Sequence, residues 1–192
     1  MIENATWIYN YLINLPGTQA WKHVAICCFL GNVQQESTIN PGIWQDLTQT
    51  IKDGYGLTQW TPSTKYTDWC KKERISPQYM DSALKRVQWE CDNEGKGADQ
   101  WYPTSKYPYT FYEFTQADDA NISKWTECFM RCYERPAEEH ANLFGRTNNS
   151  RYWHLYFRGL DPGPMPDPTP EHGRRFKWWM YMGRPNQRGV RR

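Results

Sequence analysis

The chain has 192 residues, with 23 basic and 21 acidic side chains and a net charge of +2. That length accommodates one domain of about 150 residues plus an appendage. No run of about 20 apolar residues occurs, which excludes a membrane-spanning helix, and 39% hydrophobic against 23% charged residues fits a globular protein.

Aromatic residues are abundant: 11 Trp, 13 Tyr and 7 Phe. Rings fill cores and stack on sugar faces equally well, so most of this excess is assigned to the core. The opening stretch MIENATWIYNYLINLPGTQ has no basic n-region and no small-residue cleavage site, so no signal peptide is expected.

Residues 19–36 (QAWKHVAICCFLGNVQQE) are apolar around most of a helical circumference, which predicts a buried helix. Asn40-Pro41-Gly42 should stop it, because proline disfavours helix in the residue before it. A loop-rich stretch follows, with short strands expected at Trp44 to Leu47 and Tyr55 to Trp60 and turn chemistry at Asp53-Gly54. Thr61-Pro62 has the form of an N-cap followed by proline at the first helical position, opening a helix with Tyr66, Trp69 and Cys70. Ser76-Pro77 repeats that device before a helix with Met80, Leu84, Val87 and Cys91 on one stripe, ending near Gly95. Residues 96–114 are irregular. Asp118 or Asp119 is expected to cap a helix with Ile122, Trp125, Phe129 and Cys132 inward, halted at Pro136. The last helical region, 137–158, carries a suspected break near Gly145 to Asn149.

The fold class is therefore α+β and mostly α: a helical domain with one small β-hairpin over residues 1–160. Residues 161–170, DPGPMPDPTP, place proline at every second position from 162 and read as an extended linker. Residues 171–192 carry seven of the 23 basic side chains and one of the 21 acidic ones, a tail of +6 beside a body of −4.

The six cysteines, Cys27, Cys28, Cys70, Cys91, Cys128 and Cys132, read as free buried thiols. Two are adjacent, one lies on an apolar stripe, and two are four apart on one helix face. There is no CxxC pair and no HExxH, and His23, His140, His154 and His172 are scattered, so no metal site and no cofactor are expected.

Glu36 holds the most informative position. Cleaving a glycosidic bond near neutral pH needs a protonated donor, and a free Glu titrates near 4.3. Burial against apolar side chains raises a carboxyl pKa. On a helix, Glu36 shares a face with Val33, Asn32 and Phe29. Spacing alone leaves two readings open: a general acid, or a Glu that solvates the last turn.

QQES-x-x-NPG followed by GYGLTQW resembles the phage tail lysozyme family, within the wider lysozyme and lytic-transglycosylase group. There a helix ends in Glu-Ser and a Gly-Leu-x-Gln motif lies across the cleft; the matching residues here are Glu36-Ser37 and Gly56-Leu57-Thr58-Gln59. Tyr133-Glu134-Arg135-Pro136 is similar to the aromatic-Glu-basic-Pro segment near the end of these domains, and the resemblance covers roughly residues 6–158. It implies a lysozyme-like domain acting on bacterial peptidoglycan, with Glu36 as general acid. It further implies that Gln59 and Tyr55 orient the substrate or a water, that Trp44 and Trp60 serve as sugar-stacking walls, and that Tyr133 and Glu134 brace the site from behind. For both tryptophans, hairpin packing stays open as the alternative. Asp46 and Asp53 are the candidates for a second carboxylate, with a plain Asp-Gly turn as the other reading of Asp53. If neither reaches the sugar, a transglycosylase route is implied, in which the muramic acid 6-hydroxyl attacks and one carboxyl acts as acid and then base.

The implied setting is a phage virion, at the tail tip, where the enzyme opens the host wall for DNA entry. Alternatives are a structural tail component with an inactive lysozyme fold and a free endolysin. For the basic, aromatic tail, docking onto another tail protein, binding an anionic surface and disorder all stay open. No specific recognition of nucleic acid is expected.

Overall fold

The computed structural model describes residues 1–46, 49–98 and 100–166. The expected tail (171–192) and the linker beyond residue 166 lie outside the described residues, as does Leu47 of the first expected strand. Among the described residues seven α-helices follow in chain order: α1 (Ile2–Ile13), α2 (His23–Ser37), α3 (Thr64–Glu73), α4 (Met80–Asp92), α5 (Phe111–Thr115), α6 (Ile122–Phe129) and α7 (Leu143–Phe157).

Sequence reading assigned no helix to α1. It buries Ala5, Ile8 and Leu12, a stripe at offsets of three and four, and stops short of Pro16. Three apolar positions among Asn and Tyr of modest helix propensity make a faint signal; packing against α2 supplies the rest.

α2 is the axis of the domain. Every residue from Val24 to Gln34 is buried, with α7, α6 and α1 packed around it. It starts at His23 rather than near residue 19. The amides of Lys22 and Ala25 donate to Thr115 O (2.8 Å) and Ala117 O (3.1 Å), which partners N–H groups at an end of the helix where no side-chain cap does so. It ends at Ser37, ahead of Pro41. Thr38 and Ile39 both enter the left-handed region (φ 54° and 59°), and their amides bond back to Gln34 O and Val33 O. Two successive β-branched residues with positive φ are strained, and they lie directly after Glu36-Ser37.

α2 and α7 approach closely at Gly31. A Cβ there would lie 2.0 Å from Ser150 Oγ and 2.6 Å from Arg146 O, so only glycine lets the two backbones approach this far. α7 runs unbroken from Leu143 to Phe157, without the suspected interruption near Gly145. Its inward face is polar, burying Arg146, Thr147, Asn149 and Ser150, which explains why the apolar pattern fades there.

Other element starts also shift. Thr61-Pro62 is a cis bond, and α3 begins at Thr64. α4 begins at Met80, after Tyr79 rather than at Ser76-Pro77; its expected stripe of Met80, Leu84, Val87 and Cys91 is buried. Asn121, not Asp118 or Asp119, caps α6 by accepting from Lys124 N (3.1 Å), while Asp119 accepts from Asn121 N. Beyond Phe129 the helix widens into a π turn, Met130–Glu134, closed by Arg135 N donating to Met130 O (2.8 Å). The extra residue per turn breaks the regular face, so neighbours Cys132 and Tyr133 are both buried. The expected hairpin is reduced to isolated antiparallel bridges, Trp44 with Tyr55 and Tyr55 with Trp60, among the described residues.

Most rings belong to the core, as their number suggested. Trp21, Phe29, Trp101, Phe111, Phe114, Phe129 and Tyr133 form one connected cluster of stacked and edge-on contacts. Such pairs contribute about 0.5–1.5 kcal/mol each beyond their burial. All six cysteines are free and buried.

Candidate active site

Glu36 stands on the last turn of α2, and its side chain is 19% exposed. The apolar surroundings expected of it are replaced by a guanidinium: Arg146 Nη2 donates to Glu36 Oε1 at 2.5 Å. Arg146 is buried inside the α2–α7 contact. Its Nε donates to Ala141 O (2.8 Å) and its Nη1 to Asn32 Oδ1 (3.1 Å), so the fork is fixed before it meets the carboxylate. Phe29, Val33 and Asn32, the expected face-mates of Glu36, are fully buried below it.

A second carboxyl, Glu134, lies near Glu36. The π turn carries it inward, and its Oε1 is buried with no hydrogen-bond partner among the described residues. Burial pushes its pKa well above the usual carboxylate range, the charge of nearby Glu36 pushes it further, and Arg146 and Arg135 oppose both.

Close by lies a buried acid, Glu90 of α4. It accepts from Arg86 Nε (2.8 Å), Trp60 Nε1 (3.0 Å) and Tyr133 Oη (2.5 Å). Burial raises its pKa, and those partners pull it back. Tyr133 Oη also lies 3.5 Å from Thr58 Oγ1, which links the π turn to the Gly56–Gln59 loop.

In that loop, Gln59 has φ 51° and donates through Nε2 to Gly56 O (2.8 Å) and Ile43 O (3.2 Å); its buried Oε1 has no partner among the described residues. Tyr55 is 4% exposed and Trp60 1% exposed, stacked with Tyr66. A ring so enclosed offers no free face to a sugar, so Trp60 takes the packing role. Trp44 is half-buried, with its ring tilted against Tyr55 at 4.7 Å. Asp53 Oδ2 accepts from Thr50 N (2.8 Å) and Oγ1 (3.0 Å), closing a local turn. Asp46 is exposed on the same loop.

Sequence reasoning missed Arg146 and Glu90. Arg146 sat in the stretch read as a helix break, though buried polar residues on a strong helix were the available signal. Glu90 lies in the last turns of α4, between buried Val87 and Cys91, where an unpaired acid is costly and implies partners.

Comparison with known proteins points the same way. A family model described as phage tail lysozyme matches residues 3–157. "Morphogenesis protein 1" of Bacillus phage B103 is 43% identical over 154 residues, covering 80% of this chain and 39% of that protein. The chain thus spans about two fifths of that relative's length. With an acid-bearing central helix, an arginine-braced carboxylate and a match across nearly all of the helical domain, the chain belongs to the phage tail lysozyme family.

Proposed function

We propose that this protein cleaves the glycan strands of bacterial peptidoglycan, with Glu36 as the general acid, as a tail-associated lysin that opens the host wall for DNA entry. The observation that carries this reading is the carboxyl pair at the end of α2: Glu36, partly exposed and held by Arg146, and half-buried Glu134, whose Oε1 has no partner among the described residues. Arg146 fixes Glu36 toward its ligand. In the reaction the protonated Glu36 carboxyl gives its proton to the leaving glycosidic oxygen and, as a carboxylate, takes one back from the attacking hydroxyl or water. Gln59, anchored by its amide nitrogen, orients the substrate or a water through Oε1, and Trp44 offers the sugar-facing ring. Tyr133 and Glu90 hold this arrangement from below. In this reading Glu134 takes the place sought for Asp46 or Asp53 as the partner carboxyl, because it lies near enough for the charge of Glu36 to raise its pKa. Lytic transglycosylation and hydrolysis use this acid alike and differ in whether the 6-hydroxyl or water attacks.

The test is clearing of bacterial cell walls in a zymogram. Wild type should clear and Glu36→Gln should not; equal clearing would remove Glu36 from the role of acid. A second reading, a structural tail component with an inactive site, draws on the relative's name, which speaks of morphogenesis. It requires wild-type protein that never clears yet binds another tail protein through residues 171–192. Detection in purified virions separates both from a free endolysin.

A further inference from the structure

At the opposite end of α2 from Glu36, folding brings together three side chains that look unrelated in sequence. His23 and Cys27 share one face of α2, and His154 comes from α7; one ligand atom of each lies within 4.8 Å of the others. His23 Nε2 is 3.0 Å from His154 Nδ1 and 3.8 Å from Cys27 Sγ. The apparent scatter of the histidines is therefore undone by the α2–α7 contact.

We propose that His23, Cys27 and His154 form a binding site for a zinc-type divalent ion. Around tetrahedral zinc, bond lengths of about 2.0 Å to nitrogen and about 2.3 Å to sulfur place two nitrogens about 3.3 Å apart and nitrogen and sulfur about 3.5 Å apart. The observed 3.0 Å between the nitrogens differs from this by a few tenths of an ångström, while Cys27 Sγ, 3.8 Å from His23 Nε2 and 4.0 Å from Nδ1, lies beside the ring and swings in front of Nε2 when the ion binds. One thiolate with two imidazoles is a donor set that such an ion prefers. A second feature supports the site independently. His23 turns Nε2 toward the cluster while its other nitrogen, Nδ1, is held by Tyr9 Oη at 2.9 Å, the kind of outer partner that orients a metal-bound histidine.

The proton inventory closes. Arg158 Nη1, which can only donate, faces His154 Nε2 at 3.4 Å. The metal-free chain therefore runs from Arg158 to His154, with the His154 proton on Nδ1, then to His23 Nε2, and from His23 Nδ1–H to Tyr9 Oη. On binding, the Cys27 thiol loses its proton to solvent and forms the metal–sulfur bond. The His154 proton moves from Nδ1 to Nε2, and exposed Arg158 swings away. His23 keeps its proton on Nδ1. One proton is released per ion, and the fourth position is left for water. The ion would tie α2 to α7 beside α1, close to where the chain leaves the helical domain. The 13 residues from His23 to Glu36 put it about 20 Å from the candidate active site along α2.

Cobalt(II) titration of the full chain, followed by absorption spectroscopy, tests this. Wild type should take up one ion with thiolate-to-cobalt charge transfer and intense tetrahedral d–d bands, and zinc should displace it. Cys27→Ser should lose the charge-transfer band, His154→Gln should lose saturable binding, and Tyr9→Phe should bind roughly tenfold more weakly. Zinc should raise the Tm of wild type and leave that of Cys27→Ser unchanged, while wall clearing by Cys27→Ser should persist. The His154→Gln titration reads the same question should Cys27→Ser fold poorly. A wild-type spectrum without thiolate charge transfer, or bands that survive both substitutions, overturns the proposal.

Discussion

Glu36 and Glu134 differ in environment more than in chemistry. Glu36 is oriented by a buried arginine and partly open to solvent; Glu134 is half-buried, its Oε1 has no partner among the described residues, and burial pushes its pKa up. A carboxyl whose pKa is raised on folding binds a proton that the unfolded chain has lost above its usual pKa near 4.5. Stability contributed this way is present at low pH and falls as pH rises from there toward the folded pKa. Glu134→Gln should therefore flatten the loss of stability between mildly acidic and alkaline pH, measured by urea unfolding at several pH values. An unchanged slope would mean that Glu134 is ionised in the folded state. Arg146 makes the opposite case. Arg146→Ala strands Glu36 and frees buried acceptors on Asn32 and Ala141. It should cost about 3–5 kcal/mol in denaturant unfolding and abolish wall clearing. Of these residues, only Glu36 was legible as an acid from sequence, and its setting was misjudged. A helix face shows which neighbours lie on its own helix, but Arg146 reaches it from 110 positions away.

At the scale of elements, the α2–α7 pair decides whether the site exists. The approach at Gly31 seats Arg146 under Glu36 and, two turns back along α2, brings His154 to His23. Gly31→Ala puts a methyl against the α7 backbone and should destabilise the fold by about 3 kcal/mol in thermal or urea unfolding, lowering clearing in proportion to the displacement of Arg146. Full stability in that variant would show that α7 can retreat without penalty. The buried character of α2 was readable because its apolar residues run almost without interruption. The boundaries were less so. Thr61-Pro62 and Ser76-Pro77 have the composition of helix starts, yet the helices begin two or three residues later, and Asn121 rather than an aspartate caps α6. The π turn after Phe129 has no periodic signature at all, although it delivers Tyr133 and Glu134 to the site.

At the scale of the whole molecule, the domain read as residues 1–160 contains every residue of the candidate site, and its last helix ends at Phe157. A chain truncated after residue 160 should unfold cooperatively and still clear cell walls; loss of clearing with the fold retained would assign residues 161–192 a part in substrate engagement. The charge asymmetry, −4 for the body and +6 for residues 171–192, predicts that any contribution of the tail to wall binding weakens as salt is raised. The account rests most heavily on the bond that is cut. Mass spectrometry of peptidoglycan digested with wild type and with Glu36→Gln addresses this directly. Wild type should release disaccharide-containing fragments with reducing or anhydro-muramic ends and intact stem peptides, and Glu36→Gln should release none. Cut peptides with unbroken glycan strands, or glycan fragments from both proteins alike, would contradict it.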